Sequence, residues 1–242
     1  MYGLTRFNQP GPRTTLVRRI TLVIVALVLG VGSAYAGGTS EQAEAGAGSG
    51  ESAAFRASLV FVAGEVLVNG EVAVAGSSLR QTDVVETGAG FAEIVVGGPN
   101  VIRRDEGTRV EMNLGVADGN LGVERGSVAA IFDRVVELSS NRNVRMTGPA
   151  VVGGVRGTTV FMRVFDDGST YFCTCNGTVH LAPQGAEGFT VAAPRHEAYL
   201  FEQIDGETRT TVQPDLYHTT AELNVLAERI GVTIPWGEVP SN

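Results

Sequence analysis

Leu59-Val60-Phe61-Val62-Ala63-Gly64-Glu65-Val66-Leu67-Val68-Asn69-Gly70-Glu71-Val72-Ala73-Val74 is the stretch that decides the fold class. Its apolar positions are largely β-branched, they come in short runs, and no helical period links them. Asn69-Gly70 between two alternating runs is the signal of a two-residue hairpin turn, which needs positive φ at both positions. Outward from here the pattern repeats in Ala92-Glu93-Ile94-Val95-Val96 and Val160-Phe161-Met162-Arg163-Val164. Turn signals separate the runs at Gly97-Gly98-Pro99-Asn100, Asp118-Gly119-Asn120 and Asp166-Asp167-Gly168. The region is expected to be all-β.

A weak echo runs through it. Gly64-Glu65-Val66-Leu67-Val68, Gly70-Glu71-Val72-Ala73-Val74, Gly126-Ser127-Val128-Ala129-Ala130 and Gly177-Thr178-Val179-His180-Leu181 each place a Gly before alternating apolar positions. A β-solenoid or β-roll turning at glycine fits this, and a β-sandwich of generic hairpins is the alternative. Thr190-Val191-Ala192 and Ala198-Tyr199-Leu200-Phe201 read as two further strands, with Gln203 to Arg209 as a polar turn before a last one. Asp215 to Ile230 then carries Leu216, Leu223, Leu226 and Ile230 on one helical face, with Pro214-Asp215 as the start and Gly231 as the stop. Such a helix is expected to cap open strand edges.

The N-terminus reads as a targeting segment. Arg18-Arg19 precede an apolar run from Ile20 to Val31, and Ala34-Tyr35-Ala36 is a small-x-small triplet that a signal peptidase accepts. Residues 1–36 are expected to be a cleaved signal peptide, or else a signal anchor holding the chain at the inner membrane through residues 20–36. Either way the remainder is exported, to the periplasm or cell envelope, and touches a membrane only through that segment if it is uncleaved. Residues 37–54 are Gly, Ala, Ser and Glu with single Thr and Gln residues, a composition of a flexible linker. The division expected downstream is a β domain over 55–212 and a C-terminal helix and tail over 213–242.

Of 242 residues, 18 are basic and 26 acidic, a formal charge of −8. Without Arg6, Arg13, Arg18 and Arg19 of the first 36 residues, 14 basic residues face 26 acidic ones, a balance of −12. That surface repels phosphates, so no nucleic-acid partner is expected.

Several blocks in order along the chain resemble the FecR domain. They are Gly64 to Gly70, Leu79-Arg80-Gln81-Thr82-Asp83-Val84-Val85-Glu86-Thr87-Gly88 followed by Phe91 to Val96, Leu121 to Ala130, and Val155-Arg156-Gly157-Thr158-Thr159-Val160-Phe161. The Arg156-Gly157-Thr158 piece is close to the family's Arg-Gly-Thr signature, and the resemblance covers roughly half the chain. Physically, Gly157 permits a tight backbone path and Arg156 is expected to fix a corner by clamping carbonyls or a carboxylate such as Asp83. The resemblance implies a non-catalytic module that binds an envelope protein or a small ligand. Family members often add a cytoplasmic segment restraining a sigma factor. Only some 19 residues precede the apolar run here, so that half of the role is not expected.

Cys173 and Cys175, the two cysteines, sit two apart in Thr170-Tyr171-Phe172-Cys173-Thr174-Cys175-Asn176-Gly177 and share one face of a strand. Three readings compete: a Cys173–Cys175 disulfide, a transition-metal site (zinc or iron) completed by His196 or His180, and inert apolar filler. His196 follows on the next strand, and a subset of FecR-like chains resembles this pairing of a Cys-x-Cys strand with a downstream His. His218, near the helix start, reads as an ordinary surface or core histidine. No enzyme motif is present: the adjacent acids Asp166-Asp167 and Asp105-Glu106 lie in apparent turns, and no nucleophile elbow, phosphate loop or His-Glu-x-x-His occurs. No catalytic residue is therefore assigned.

Overall fold

The computed structural model describes residues 55–116, 118–133 and 144–240; the expected targeting segment and linker, residues 1–54, lie outside them. The strands in the first half are β1 (Ala57–Val68), β2 (Glu71–Val72), β3 (Ser78–Leu79), β4 (Val84–Val96), β5 (Asn100–Arg104), β6 (Arg109–Asn113) and β7 (Gly119–Phe132). Those in the second half are β8 (Val144–Thr147), β9 (Val151–Val155), β10 (Thr159–Val164), β11 (Thr170–Pro183), β12 (Phe189–Ala193), β13 (Glu197–Ile204) and β14 (Glu207–Gln213). One helix, α1 (Thr220–Glu228), follows them.

The fold is mostly β with a short C-terminal helix, as the sequence indicates. Its strands form one sheet that closes on itself and carries extra strands at its ends. The described pairs are antiparallel except β7 with β8. Successive segments therefore meet edge to edge through hairpins and crossovers, not as parallel rungs. Closure comes from long strands that change partners along their length. The first half of β7 pairs with β6 and β8, and its second half with β5 and β10. β11 pairs first with β10 and β13, then with β9 and β12.

Glycine makes that change possible. β4 bends at Gly90 (φ 137), β7 at Gly126 (φ 84) and β11 at Gly177 (φ 114). Across each bend the parity of the inward residues flips: Leu121 and Val123 before Gly126, but Val128, Ala130 and Phe132 after it. On β11, Phe172 faces the interior before the bend and Val179 and Leu181 after it. Of the Gly-led segments read from the sequence, those at Gly126 and Gly177 are these corners; Gly64 lies opposite Gly90, Gly70 is in the hairpin turn, and Val72 and Val74 after it are exposed. All three corners are also close approaches, Gly90 against the Ala63 carbonyl. A Cβ on Gly126 would lie 2.4 Å from Thr108 Oγ1, and one on Gly177 would lie 2.6 Å from Thr158 Cγ2. At the predicted hairpin, Asn69 and Gly70 both adopt positive φ, and Val68 pairs with Glu71.

Two apolar cores result. The larger fills the closed sheet, from Leu59 and Ile94 to Leu121, Phe172 and Phe201. The second lies outside the sheet and beneath α1, where Val101, Ala129, Ile131, Phe161, Tyr171, Cys173 and Cys175 meet Leu223, Leu226, Ala227 and Ile234.

The helix starts later than the sequence pattern suggests. Thr219 is its N-cap, with a capping box in which Thr219 Oγ1 accepts from the Glu222 N–H and the Glu222 carboxylate accepts from the Thr219 N–H. Residues 215–218 are instead a loop, with Tyr217 at φ 68 and Leu216 exposed. Pro214-Asp215 imitates a start signal, but the capping box is the stronger one. Gly231, at φ 68, follows the helix end as expected.

The expected clamp by Arg156 does not reach Asp83. The Asp83 carboxylate accepts from Asn69 Nδ2 (2.8 Å) and the Arg80 N–H (2.8 Å), while Arg156 is exposed. Thr158 of the same signature is buried against Gly177, and Gly157 turns at φ 59. The signature thus acts through its Gly and Thr.

Two outcomes follow. Gly177→Ala forces a Cβ into Thr158 at a left-handed backbone position and should cost about 2–3 kcal/mol in urea unfolding. Arg104, fully buried, has no hydrogen-bond partner on any guanidinium nitrogen, and burial pulls its pKa down to about 9. Its penalty is complete at neutral pH and is relieved as pH rises through that value. Arg104→Met should therefore stabilise the fold, by about 1–3 kcal/mol; a loss of stability would show that the guanidinium is compensated.

Candidate metal centre

The outer core contains the only group of three or more closely spaced His, Cys, Asp or Glu side chains found among the described residues. It comprises Cys173, Cys175, His196 and His218, whose candidate ligand atoms all lie within 4.8 Å of one another. Three segments deliver them. Cys173 and Cys175 come from β11, His196 from the β12–β13 turn, and His218 from the loop before α1.

Local structure aims each one. Cys173 pairs with Phe161 on β10 and Ala198 on β13, in the middle of the sheet. The β10–β11 register slips between Val160↔Thr174 and Thr159↔Asn176, so Cys175 is the extra residue of a bulge. Both sulfurs stay on the outer face, fully buried. His196 adopts φ 30, and its N–H donates to the Cys175 carbonyl at 2.9 Å. That turn folds the imidazole back over the cysteine strand.

The distances are compact. Cys173 Sγ and Cys175 Sγ lie 3.6 Å apart, Cys175 Sγ and His218 Nε2 3.2 Å, Cys173 Sγ and His196 Nδ1 3.7 Å, and the two imidazole nitrogens 3.3 Å. A tetrahedral ion with bonds of about 2.3 Å to sulfur and about 2.0–2.1 Å to nitrogen has ligand–ligand edges of about 3.3–3.8 Å. Four of the six edges, at 3.2–3.7 Å, lie close to that range, and the other two are no longer than 4.8 Å. Both cysteines are free thiols, and their separation exceeds the about 2.05 Å of a disulfide bond.

The remaining imidazole nitrogens are already engaged. His218 Nδ1 is 2.8 Å from the Leu216 carbonyl, and His196 Nε2 is 2.9 Å from Thr220 Oγ1. These bonds hold each ring with its other nitrogen turned to the sulfurs. Phe161 stacks on His218 (4.4 Å between centroids) and Trp236 on His196 (5.2 Å). Tyr171 fixes the loop: its hydroxyl donates to the Pro214 carbonyl (3.1 Å) and accepts from the Leu216 N–H (2.9 Å). Asn176 Nδ2 faces the carbonyls of Pro194, Pro235 and Glu238 at 2.9–3.2 Å, tying the His196 turn to the tail.

Electrostatics favour a thiolate. The Cys175 thiol, donating to Cys173, lowers the Cys173 pKa against the effect of burial, and His196 and His218 add to the lowering. Burial, with that same thiolate beside it, raises Cys175. For His218, burial opposes the imidazolium, but the Cys173 thiolate prevails and the pKa rises. Cys173 is therefore the acidic thiol and Cys175 the one that keeps its proton, and a cation that displaces the cluster's protons meets a thiolate already favoured.

The structure brings together three of the residues considered for a site and excludes one. His180 is exposed on β11, with Nδ1 3.3 Å from Thr190 Oγ1, and is not in the cluster. It lies five residues beyond Cys175, about 16 Å of extended strand, which the spacing alone would have revealed. His218, read as ordinary, is the fourth member. Its signal was Thr219-Thr220-Ala221-Glu222: the capping box starts the helix at Thr219 and leaves His218 in the loop before it.

No protein-family model matches the chain, and no curated protein does. Among solved structures it is similar to a crystal structure of a candidate anti-sigma factor from Parabacteroides distasonis. The two are 12% identical with a TM-score of 0.42, and the match covers 54% of this chain and 60% of that one. At that score the likeness carries no further argument.

Tyr171→Phe keeps the ring and removes both loop contacts. It should lower stability by about 1–3 kcal/mol in urea unfolding, because the Leu216 N–H and Pro214 carbonyl lose a partner. A change within experimental error would mean that the loop holds without Tyr171.

Proposed function

We propose that this chain is an exported, non-catalytic FecR-like module of the cell envelope that binds a partner protein or small ligand. Its outer core is closed by one structural metal ion on Cys173, Cys175, His196 and His218. The observation that carries the metal assignment is the convergence of two sulfurs and two imidazole nitrogens within 4.8 Å of one another, with four of their six separations near tetrahedral edge lengths.

The donor set favours zinc over iron, and both over magnesium or calcium, which prefer oxygen. Four protein ligands leave no open position for water or substrate, the arrangement of structural zinc sites. An iron–sulfur cluster spreads its ligands around several irons, whereas these four atoms surround one point. The ion would join the sheet, the β12–β13 turn and the loop before α1, so its binding free energy becomes folding free energy for the C-terminal segment.

The FecR-like reading is supported by the ordered sequence blocks between Gly64 and Leu181. Export is supported by the basic–apolar–small pattern of residues 18–36. The non-catalytic reading is supported by the environments of the acid pairs: Asp105 is paired with Arg103, and Asp167 is held by Ser169 in an exposed turn.

Elemental analysis of the chain purified from its native compartment should find one zinc per molecule, with two free thiols released on denaturation in chelator. His218→Ala should lose the metal and His180→Ala keep it. Acidification should release the ion as thiols and imidazoles take up protons. A chain with no metal and no free thiol would be a disulfide protein, and the assignment would fail.

A further inference from the structure

Beside the metal centre lies a cavity of about 200 Å³ lined by Phe165, Asp167, Ser169, Tyr171, Leu200, Gln213, Leu216 and Tyr217. Its floor crosses the sheet, with Tyr171 of β11 paired to Leu200 of β13 and Leu200 to Thr211 of β14. One wall is the β10–β11 turn and the other is the loop that carries His218. Ring contacts and the Tyr171 hydroxyl set the walls. Tyr171 stands edge-on to Tyr217 (5.1 Å), Phe165 stands edge-on to Tyr217 (5.7 Å), and the Tyr171 hydroxyl holds the loop at Pro214 and Leu216. Three aromatic rings and two leucines around a space of this size form an apolar pocket preset for a small group.

Its polar groups are one-sided. Asp167 lines the cavity and is exposed; both hydrogen bonds from Ser169, from its N–H (2.9 Å) and its hydroxyl (2.6 Å), fall on Oδ1. Those donors hold the Asp167 carboxyl below its usual pKa, so it is ionised at neutral pH. Asp166 and Asp215 are the chain neighbours of lining residues Phe165 and Leu216, and both are exposed. Arg163 is packed over the rings of Phe165 (5.2 Å) and Tyr217 (4.8 Å). Asp167 is thus the charged side chain that lines the cavity, with two further exposed carboxylates next in the chain to lining residues.

We infer that this cleft is a binding subsite for a cationic group on a short apolar stem, an amine or guanidine whose stem sits among Phe165, Tyr171, Leu200 and Tyr217 and whose charge meets Asp167. This deepens the reading of the chain as a binding module by naming the site and the ligand chemistry. The same chemistry arrives from two sources, a free small amine or a basic side chain of a partner protein.

The test is an NMR titration of the metal-containing full chain with three probes: phenethylamine, its neutral isostere 2-phenylethanol, and the capped peptide acetyl-Ala-Lys-Ala-amide. Metal content is measured on the same samples. The amine should shift the amide signals of Ser169 and Tyr217 and bind about tenfold more tightly than the alcohol, the effect of one charge-assisted contact. Asp167→Asn, on an exposed turn away from the metal ligands, should abolish that preference while metal content stays unchanged. Binding by the amine alone points to a free ligand, and binding by the peptide points to a partner's side chain. Equal binding of amine and alcohol, or no shift with any charged probe, overturns the inference. If that occurs with metal present, the metal assignment stands; amine binding by a metal-free chain would instead leave the cleft and remove the metal.

Discussion

The bend of β11 at Gly177 is the constraint on which the rest depends. Before it, Phe172 faces the closed sheet while Tyr171, Cys173 and Cys175 face outward; after it, Val179 and Leu181 face inward. A strand of strict period two cannot do this. One bulged residue and one left-handed glycine switch the parity, and the backbone of Gly177 then comes close enough to Thr158 that no Cβ fits. The same switch operates at Gly126 against Thr108. At both of these bends the glycine backbone packs against a buried threonine, once in each half of the chain. It follows that the cysteine pair is displayed on the outside of the sheet by the same event that closes it.

That outward display creates a need. Phe161, Ile131, Val101 and the two sulfurs form an apolar face that water would otherwise cover, and a nine-residue helix is too short to be stable alone. Its stability must come from tertiary contacts. Burial of Leu223, Leu226 and Ala227 supplies part, the two leucine side chains being worth about 1.5–3 kcal/mol each. The rest is arranged at the ends. Arg229, just past the last turn, meets the buried Glu93 carboxylate at 2.9 Å, and His218, just before the N-cap, reaches the sulfurs. Because that carboxylate is buried, leaving it unpaired would be costly, so the contact fixes the position of the helix more than it adds net stability. A metal ion at the other end would act over a sequence separation of 43 residues, from Cys175 to His218, where closing the loop without it costs most.

Much of the architecture was legible in the sequence, and the reasons are local. Alternation of β-branched residues, Asn69-Gly70 and the Gly-led segments report on geometry set within a few residues, and they gave the class, the hairpin and the corners. What was not legible depended on distant partners. Nothing in Val155-Arg156-Gly157-Thr158 says that the threonine, not the arginine, is the buried member, because that is decided by Gly177 twenty residues later. The way strands pair, with β7 and β11 each shared between two sets of neighbours, is likewise non-local.

The centre itself was half legible for the same reason. Cys173 and Cys175 announce a shared face through their spacing, and His196 follows within hairpin reach. His218 stands 43 residues from Cys175, and its side chain reads as nothing until Tyr171, Thr219 and the stacked Phe161 are placed around it. Yet counting alone constrained the answer: two sulfurs need two more ligands, the chain offers three histidines, and strand length removes His180. A set of ligands drawn from both a rigid strand and a late loop is what a closed structural site requires if it is to fasten a terminal segment. A catalytic site would gain nothing from spending a fourth ligand on that loop. The origin of the fourth ligand in the chain is thus an argument about role, independent of the distances that identify the site.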